Sequence, residues 1–347
     1  MKKAIIHYFT GTGNAEHAAI AASAELEKNG YAVRLIRVEK GVAHPVEERD
    51  IDIFFFAVYS WSAAVMMKRY MRSLPKVKNR PAAVFAVFGT SVPDKGGNPG
   101  QALPNARAIL RRRGYDVFLT DGIRYPVNWI QFSPTPDNAI TPVIMKKGDE
   151  QVSRFVQKIL TMERFYYHCS AGEYIGTKIA AVLFGFFGRR LLGKMFIADS
   201  SCNGCGLCAR SCPARIIKMV PVVKRPYWSF SCENCNRCMN ICPEQAIQTS
   251  IARIIIHMIL NVLLLLYGVK GALYAAAIFG GSQFYIPAAA ALCAAAVVLA
   301  FIMQGYLIDP VIYLIENIPG MKQIFSITFT RKFRRYKAQG FNPVLKR

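Results

Sequence analysis

Acidic side chains are scarce in this sequence: 21 Asp and Glu face 44 Lys and Arg, and charged residues of either sign reach only 19%. With 53% hydrophobic residues, the balance tilts toward membrane proteins. A basic surplus can mean nucleic acid. Here much of it flanks apolar segments, so no nucleic acid is expected, and anionic lipid headgroups or an acidic redox partner are the simpler readings. Between Ile254 and Ile308 charge is all but missing, with no Asp, Glu or Arg and the single Lys270. No secretory leader is expected, since Met1 runs straight into strand-like sequence, and disulfides are accordingly not expected. There is no G-x-G-x-x-G, because Glu16 stands where the third glycine belongs after Gly11 and Gly13, and no Lys follows to make a Walker loop. Direct nicotinamide oxidation is therefore disfavoured. No catalytic acid–base pair can be named, so electron carrier and oxidoreductase both stay open.

What is present is cysteine at fixed spacing. Eight of the ten cysteines form Cys202-x2-Cys205-x2-Cys208-x3-Cys212-Pro213 and Cys232-x2-Cys235-x2-Cys238-x3-Cys242-Pro243, two copies offset by 30 residues. Three cysteines two residues apart let one short loop wrap an iron–sulfur cube. The fourth, turned out by the proline after it, ligates the other cube. The expected sets are Cys202, Cys205, Cys208 and Cys242 for cluster I, and Cys232, Cys235, Cys238 and Cys212 for cluster II. Zinc favours two separated Cys-x2-Cys pairs instead. Residues 201–250 thus resemble a bacterial-type ferredoxin with two [4Fe-4S] clusters, which implies a reducing compartment. Gly204 and Gly206 suit the tight first loop; Asn234 and Asn236 replace them in the second, which is expected to be less free.

Before the cysteines, strand-like runs at 3–9, 31–38, 52–58, 82–88 and 116–123 alternate with helical stretches at 16–28, Val65–Leu74, Gln101–Arg113 and Glu150–Phe165. That alternation predicts an α/β fold, a doubly wound parallel five-stranded sheet. Thr10-Gly11-Thr12-Gly13-Asn14, between a strand and a helix, makes an anion site from amides and a helix N-terminus. The pattern resembles the FMN phosphate loop of flavodoxins over residues 1–168. The resemblance implies bound FMN held by Thr10, Gly11, Thr12, Gly13 and Asn14. It implies stacking by Tyr59 or Trp61 after the third strand, and close backbone approach at Gly89 and Thr90 after the fourth. Ala15 departs from the usual hydroxyl residue and removes one phosphate contact. Asn128-Trp129 either caps the flavin or packs, with packing favoured. Cys169 beside His168 is read as a bystander thiol.

A connector follows at 169–200. Its apolar run Ile179–Phe187, flanked by Lys178, Arg189, Arg190 and Lys194, is too short to span and either lies on a membrane surface or packs between domains. Trp228 either shields a cluster or fills the core. Residues 251–308 read as two transmembrane helices, 254–279 and 285–308, joined at Gly280-Gly281-Ser282-Gln283. Within the first, Lys270 should snorkel, pair or mark an early end. Arg253 before the hairpin and Arg331, Lys332, Arg334, Arg335 and Lys337 in a basic tail, 309–347, place both termini and the redox domains on the cytoplasmic side of the membrane. The tail's Phe329, Phe333 and Tyr336 are expected against lipid. The order of domains resembles flavodoxin–ferredoxin fusion proteins, with the hairpin as an addition. Together these imply a membrane-anchored electron-transfer protein passing electrons between FMN, two [4Fe-4S] clusters and a redox partner protein. The alternatives are an FMN-dependent quinone or flavin reductase, and a docking subunit of a larger membrane redox complex whose flavodoxin-like domain lacks flavin.

Overall fold

The computed structural model describes residues 1–93, 95–279 and 285–344. Asp94 and the expected Gly280–Gln283 turn lie outside the described residues.

The N-terminal part is built on a parallel sheet. Its strands are β1 (Lys2–Phe9), β2 (Tyr31–Arg37), β3 (Ile51–Tyr59), the two-residue β4 (Ser62–Ala63), β5 (Arg80–Thr90), β6 (Tyr115–Pro126) and the edge β7 (Phe165–Tyr166). The parallel order is β2-β1-β3-β5-β6-β7, with β4 folded back antiparallel on β3. Leaving out the two short strands gives the order 2-1-3-4-5 of flavodoxin-like sheets. The continuous apolar runs of β1, β3 and β5 arise because both faces are covered. Helices α1 (Asn14–Lys28) and α4 (Ile140–Leu160) bury Ala18, Ala22, Leu26, Val152 and Phe155 on one face. Helices α2 (Val65–Ser73) and α3 (Ala102–Arg111) bury Met67, Met71, Leu103, Ala106 and Leu110 on the other.

The last helix of this layer runs 140–160, not 150–165, and Phe165 belongs to β7. Gly148 lets α4 approach the sheet, since a Cβ there would sit 2.5 Å from the Tyr125 ring. Inside the sheet, buried His7 is held between Asp52 (2.8 Å) and the Tyr70 hydroxyl (2.8 Å), while Arg49 donates to the same carboxylate at 2.7 Å.

Helix α5 (Ala171–Leu183), a π-helical turn at Phe184–Gly188 and α6 (Arg189–Lys194) lead to the cysteine repeat. There β8 (Phe196–Ala198), α7 (Leu207–Arg210) and β9 (Ile217–Val220) form the first half. Its partner half is β10 (Arg225–Trp228), α8 (Arg237–Ile241) and β11 (Ile247–Thr249). The pairing is crossed: β11 lies antiparallel on β8, and β10 on β9. The strand before each loop therefore pairs with the strand after the other, which locks the halves together.

Two long helices follow, α9 (Ile251–Phe279) and α10 (Tyr285–Met303), the latter continuing through a π-turn at Gln304–Ile308 into α11 (Asp309–Glu316). Their mean hydropathies are 2.0 and 2.5, and only 11% and 17% of their most apolar stretches are buried, unlike core helices of a soluble protein. By length and composition both can cross a membrane. Lys270 does not end its helix; α9 continues to Phe279 with Lys270 exposed. At the hairpin's base a buried cluster ties it to the cysteine module. Asp309 accepts from Lys194 (2.6 Å) and Arg253 (2.7 Å), and Arg253 also reaches Glu316 (2.7 Å) and the Lys194 carbonyl (2.8 Å).

Candidate redox site

The eight repeat cysteines converge in two sets of four. Cys202, Cys205, Cys208 and Cys242 surround one small cavity; Cys212, Cys232, Cys235 and Cys238 surround another. Each set takes three thiols from its own loop and one from the opposite Cys-Pro. Gly204 (φ 74°) and Gly206 (φ 71°) bend the first loop through the left-handed region. A Cβ at Gly204 would meet the Lys224 carbonyl at 2.9 Å. The second loop turns the same way with Asn234 (φ 54°) and Asn236 (φ 55°), so it is not constrained differently as expected. Asparagine tolerates this region because its side chain finds local partners. Here Asn234 bonds Gln131 (2.7 Å) and the Trp129 indole (3.0 Å).

The donors around the second cavity suit a sulfur-rich cluster. Trp228 is buried, and its indole nitrogen has no oxygen partner among the described residues but lies against Cys238. Such a donor is satisfied by thiolate or inorganic sulfide. The Asn234 amide points at Cys232 Sγ (3.3 Å). Burial pushes the Cys208 thiol up to about 12 and Cys235 up to about 11, and raises Cys232 and Cys238 too. As bare thiols these stay protonated; a bound cation must displace the protons. Gly193 lets α6 press onto the second set, since a Cβ there would sit 2.4 Å from Cys232 Cβ. Cys169 has its thiol pushed up by burial and by Glu173, so it is no activated nucleophile.

The expected flavin cleft is filled by protein. Arg237, buried just after Cys235, donates to the carbonyls of Gly11 (2.8 Å), Thr10 (2.7 Å) and Ser211 (2.8 Å). A Cβ at Gly11 would lie 2.7 Å from both the Cys235 carbonyl and the Tyr59 hydroxyl; one at Gly13 would lie 2.8 Å from Ala338 and Phe341. The Thr10 hydroxyl accepts from the Gly13 amide (2.9 Å), and Thr12 Oγ1 accepts from the Asn128 amide. Asn14 takes Tyr336 (2.7 Å). Tyr59 packs toward Cys235, and Trp61 turns to Gly100 and Gln101. Gly89 abuts Val127, and the Thr90 hydroxyl bonds the Val92 carbonyl (2.7 Å). Trp129 faces Asn234, so Asn128-Trp129 packs between domains. Arg237 and the Cys235 carbonyl close over Thr10 and Gly11, and Ala338 and Phe341 close over Gly13, so the residues as they stand do not fit an FMN phosphate at this loop.

That tail is the second departure. Of the aromatics expected against lipid, Phe329 stays exposed, but Tyr336 is buried, together with Ala338 and Phe341, against the flavodoxin-like and cysteine domains. Arg334 bonds Asn138 (2.7 Å), Arg335 the Ile247 carbonyl (3.1 Å), and the Ala338 amide the Thr12 carbonyl (2.9 Å). Sequence offered no sign of this, because a basic segment with interleaved aromatics reads alike on lipid and on protein.

Residues 194–243 match the family of 4Fe-4S dicluster domains. No curated protein matches the chain. Among solved structures, oxidised Flavodoxin 2 from Bacillus cereus shares 16% identity over 45% of this chain and 99% of its own, with a TM-score of 0.34. A flavodoxin from the domain Archaea gives 16%, 45%, 99% and 0.29. The short-chain flavodoxin associated with a PDU bacterial microcompartment gives 11%, 46%, 99% and 0.31. The flavodoxin-like reading rests on strand order, not on these scores. The chain joins a parallel sheet of flavodoxin-like strand order to a 4Fe-4S dicluster domain at residues 194–243, an arrangement that supports an electron-transfer or oxidoreductase role.

Proposed function

We propose a membrane-seated electron-transfer protein holding two [4Fe-4S] clusters, in which the flavodoxin-like domain carries no flavin and serves as a cover for cluster II. The observation that supports this most is the interleaving of the eight thiols into two sets of four. Cys202, Cys205, Cys208 and Cys242 hold cluster I; Cys212, Cys232, Cys235 and Cys238 hold cluster II. Each cluster, when bound, supplies one-electron exchange. Trp228 and the loop amides set hydrogen bonding to sulfur, and the domain above excludes water.

The exchange face is at cluster I. Cys205 is exposed, whereas Cys212, Cys232 and Cys238 are buried. Arg210, which bonds the Cys205 carbonyl at 2.8 Å, and Lys224 are exposed beside it. A basic rim around the accessible cluster suits an acidic redox partner. The helices α9 and α10 anchor the assembly in the cytoplasmic membrane, with the clusters on the reducing side.

Anaerobic purification in detergent, followed by iron, sulfide and flavin analysis, tests this. About eight irons per chain and no flavin are expected. Four irons or fewer overturns the paired-cluster assignment, and stoichiometric FMN overturns the cover role.

A further inference from the structure

The π-turn at Phe184–Gly188 divides the connector into two faces with different duties. A π-turn inserts one extra residue into a helix and rotates everything after it. Beyond it, Arg189 is buried and bonds the Cys232 carbonyl at 2.7 Å. Before it, α5 is two-sided. Thr177 accepts from the Gln101 amide (3.1 Å) and Ala181 is buried, so that face packs on the flavodoxin-like domain. Ile175, Ile179, Val182 and Leu183, each more than half exposed, fall within an arc of roughly 100° on the opposite side. Phe186 continues the stripe and is also exposed. Lys178 and Arg190 border it, with Arg190 lying over the Phe186 ring.

The stripe joins the hairpin. Phe187 packs edge-on against Phe301 at 4.8 Å between centroids, and Phe186 lies 6.2 Å from the same ring. Phe301 precedes Ile308, the end of the second uncharged run, by seven residues, or about 10 Å of helix. Within that stretch, Gln304 is buried against His257 (2.9 Å) and Gly305 abuts the Phe230 ring of the cysteine module, so protein cover begins just past Phe301 and the contact falls near the cytoplasmic boundary of the hydrocarbon.

We infer that helix 171–183 and the following π-turn lie in the headgroup layer of the bilayer, with the aliphatic stripe inserted and Lys178 and Arg190 at the level of anionic headgroups. The stripe's aliphatic face, basic border and continuity with a spanning helix are the chemistry of an interfacial helix. The inference rests on the hairpin spanning the membrane. It adds a second attachment that fixes how the flavodoxin-like domain sits over the surface.

The test uses the full chain reconstituted into phosphatidylcholine–phosphatidylglycerol vesicles with plain or brominated acyl chains. Tryptophan is placed by Ile179→Trp, and separately by Val46→Trp on an exposed loop of the soluble domain. Emission is read against the wild-type chain. Bromine should quench the Ile179→Trp signal about twofold and leave Val46→Trp near the wild-type level. In Leu183→Trp the quenching should also appear. Adding Ile175→Glu and Ile179→Glu should abolish it while cluster absorbance stays unchanged. Equal, low quenching at 179 and 46 overturns the proposal, as it would if a second chain covered the stripe. Undiminished quenching of Leu183→Trp in the double-Glu background also overturns it. Failure of the chain to enter vesicles at all would instead count against the hairpin reading.

Discussion

The two cysteine loops share spacing and backbone turns, yet their surroundings are opposite. The first opens to solvent at Cys205 amid exposed basic residues. The second is enclosed by the flavodoxin-like domain, by α6 at Gly193 and by the tail. Duplication thus supplies two equivalent ligand loops, and the rest of the chain makes them unequal. On the function proposed above, the first is the one that exchanges electrons with a partner, and the second is a protected store whose potential is set by a drier environment.

The sharpest way to break this comparison is to remove one ligand from each set. Cys238→Ala should lose about half the iron and loosen the domain contact, because that loop is also an interface. Cys205→Ser should leave cluster II and the soluble core intact. Iron analysis and electron paramagnetic resonance distinguish the cases; equal damage from both variants would erase the asymmetry.

The next effect is on stability. Arg237→Ala leaves the carbonyls of Thr10, Gly11 and Ser211 without their donor and should cost about 3 kcal/mol in denaturant unfolding. Arg210→Ala, on the exposed loop, should stay within about 0.5 kcal/mol.

Acid should weaken the cover before it weakens the exposed half. Burial holds the His7 imidazole below its ordinary 6.5. Burial raises the Asp52 carboxyl, but hydrogen bonds from His7 and Arg49 outweigh it and keep it below 3.8. Both groups bind fewer protons folded than unfolded. Their stabilisation is complete above the unfolded values and is lost as pH falls. The His7 part goes first, from about pH 6.5 downward. Thermal unfolding from pH 7.5 to 5 should show a falling midpoint, and His7→Gln should flatten that slope. An unchanged slope would remove His7 as its source.

The smallest effect is kinetic. Arg210→Glu with Lys224→Glu should slow reduction of an acidic one-electron acceptor about tenfold at low salt, and much less at physiological ionic strength. Stopped-flow rates that ignore both charge and salt would move the exchange face elsewhere.

The grouping of the eight thiols into two sets was legible because cysteine spacing is local: three thiols within seven residues declare their own loop, and Pro213 and Pro243 announce the crossover. The sheet was legible for the same reason, through apolar runs such as Phe54–Phe56. What escaped was contact between distant segments. Thr10–Asn14 is a phosphate-loop sequence, and nothing in it records that Arg237 and Ala338 will occupy its concave side. Asn234 looked like a poor substitute for glycine until its partners Gln131 and Trp129, about a hundred residues away, were in place. Whether α5 faces protein or lipid was likewise undecidable from composition, since the packed Ala181 and the exposed Val182 are neighbours in the chain.

The closure of Gly13 by Ala338 and Phe341 has a consequence for assembly. More than 320 residues separate the two sides of that contact, and the hydrophobic hairpin lies between them. With the hairpin seated in a bilayer as proposed, the final segment comes back to seal the earliest loop only after both helices have been made. That gives biogenesis an order, with the lid ajar for cluster loading until the end of the chain arrives.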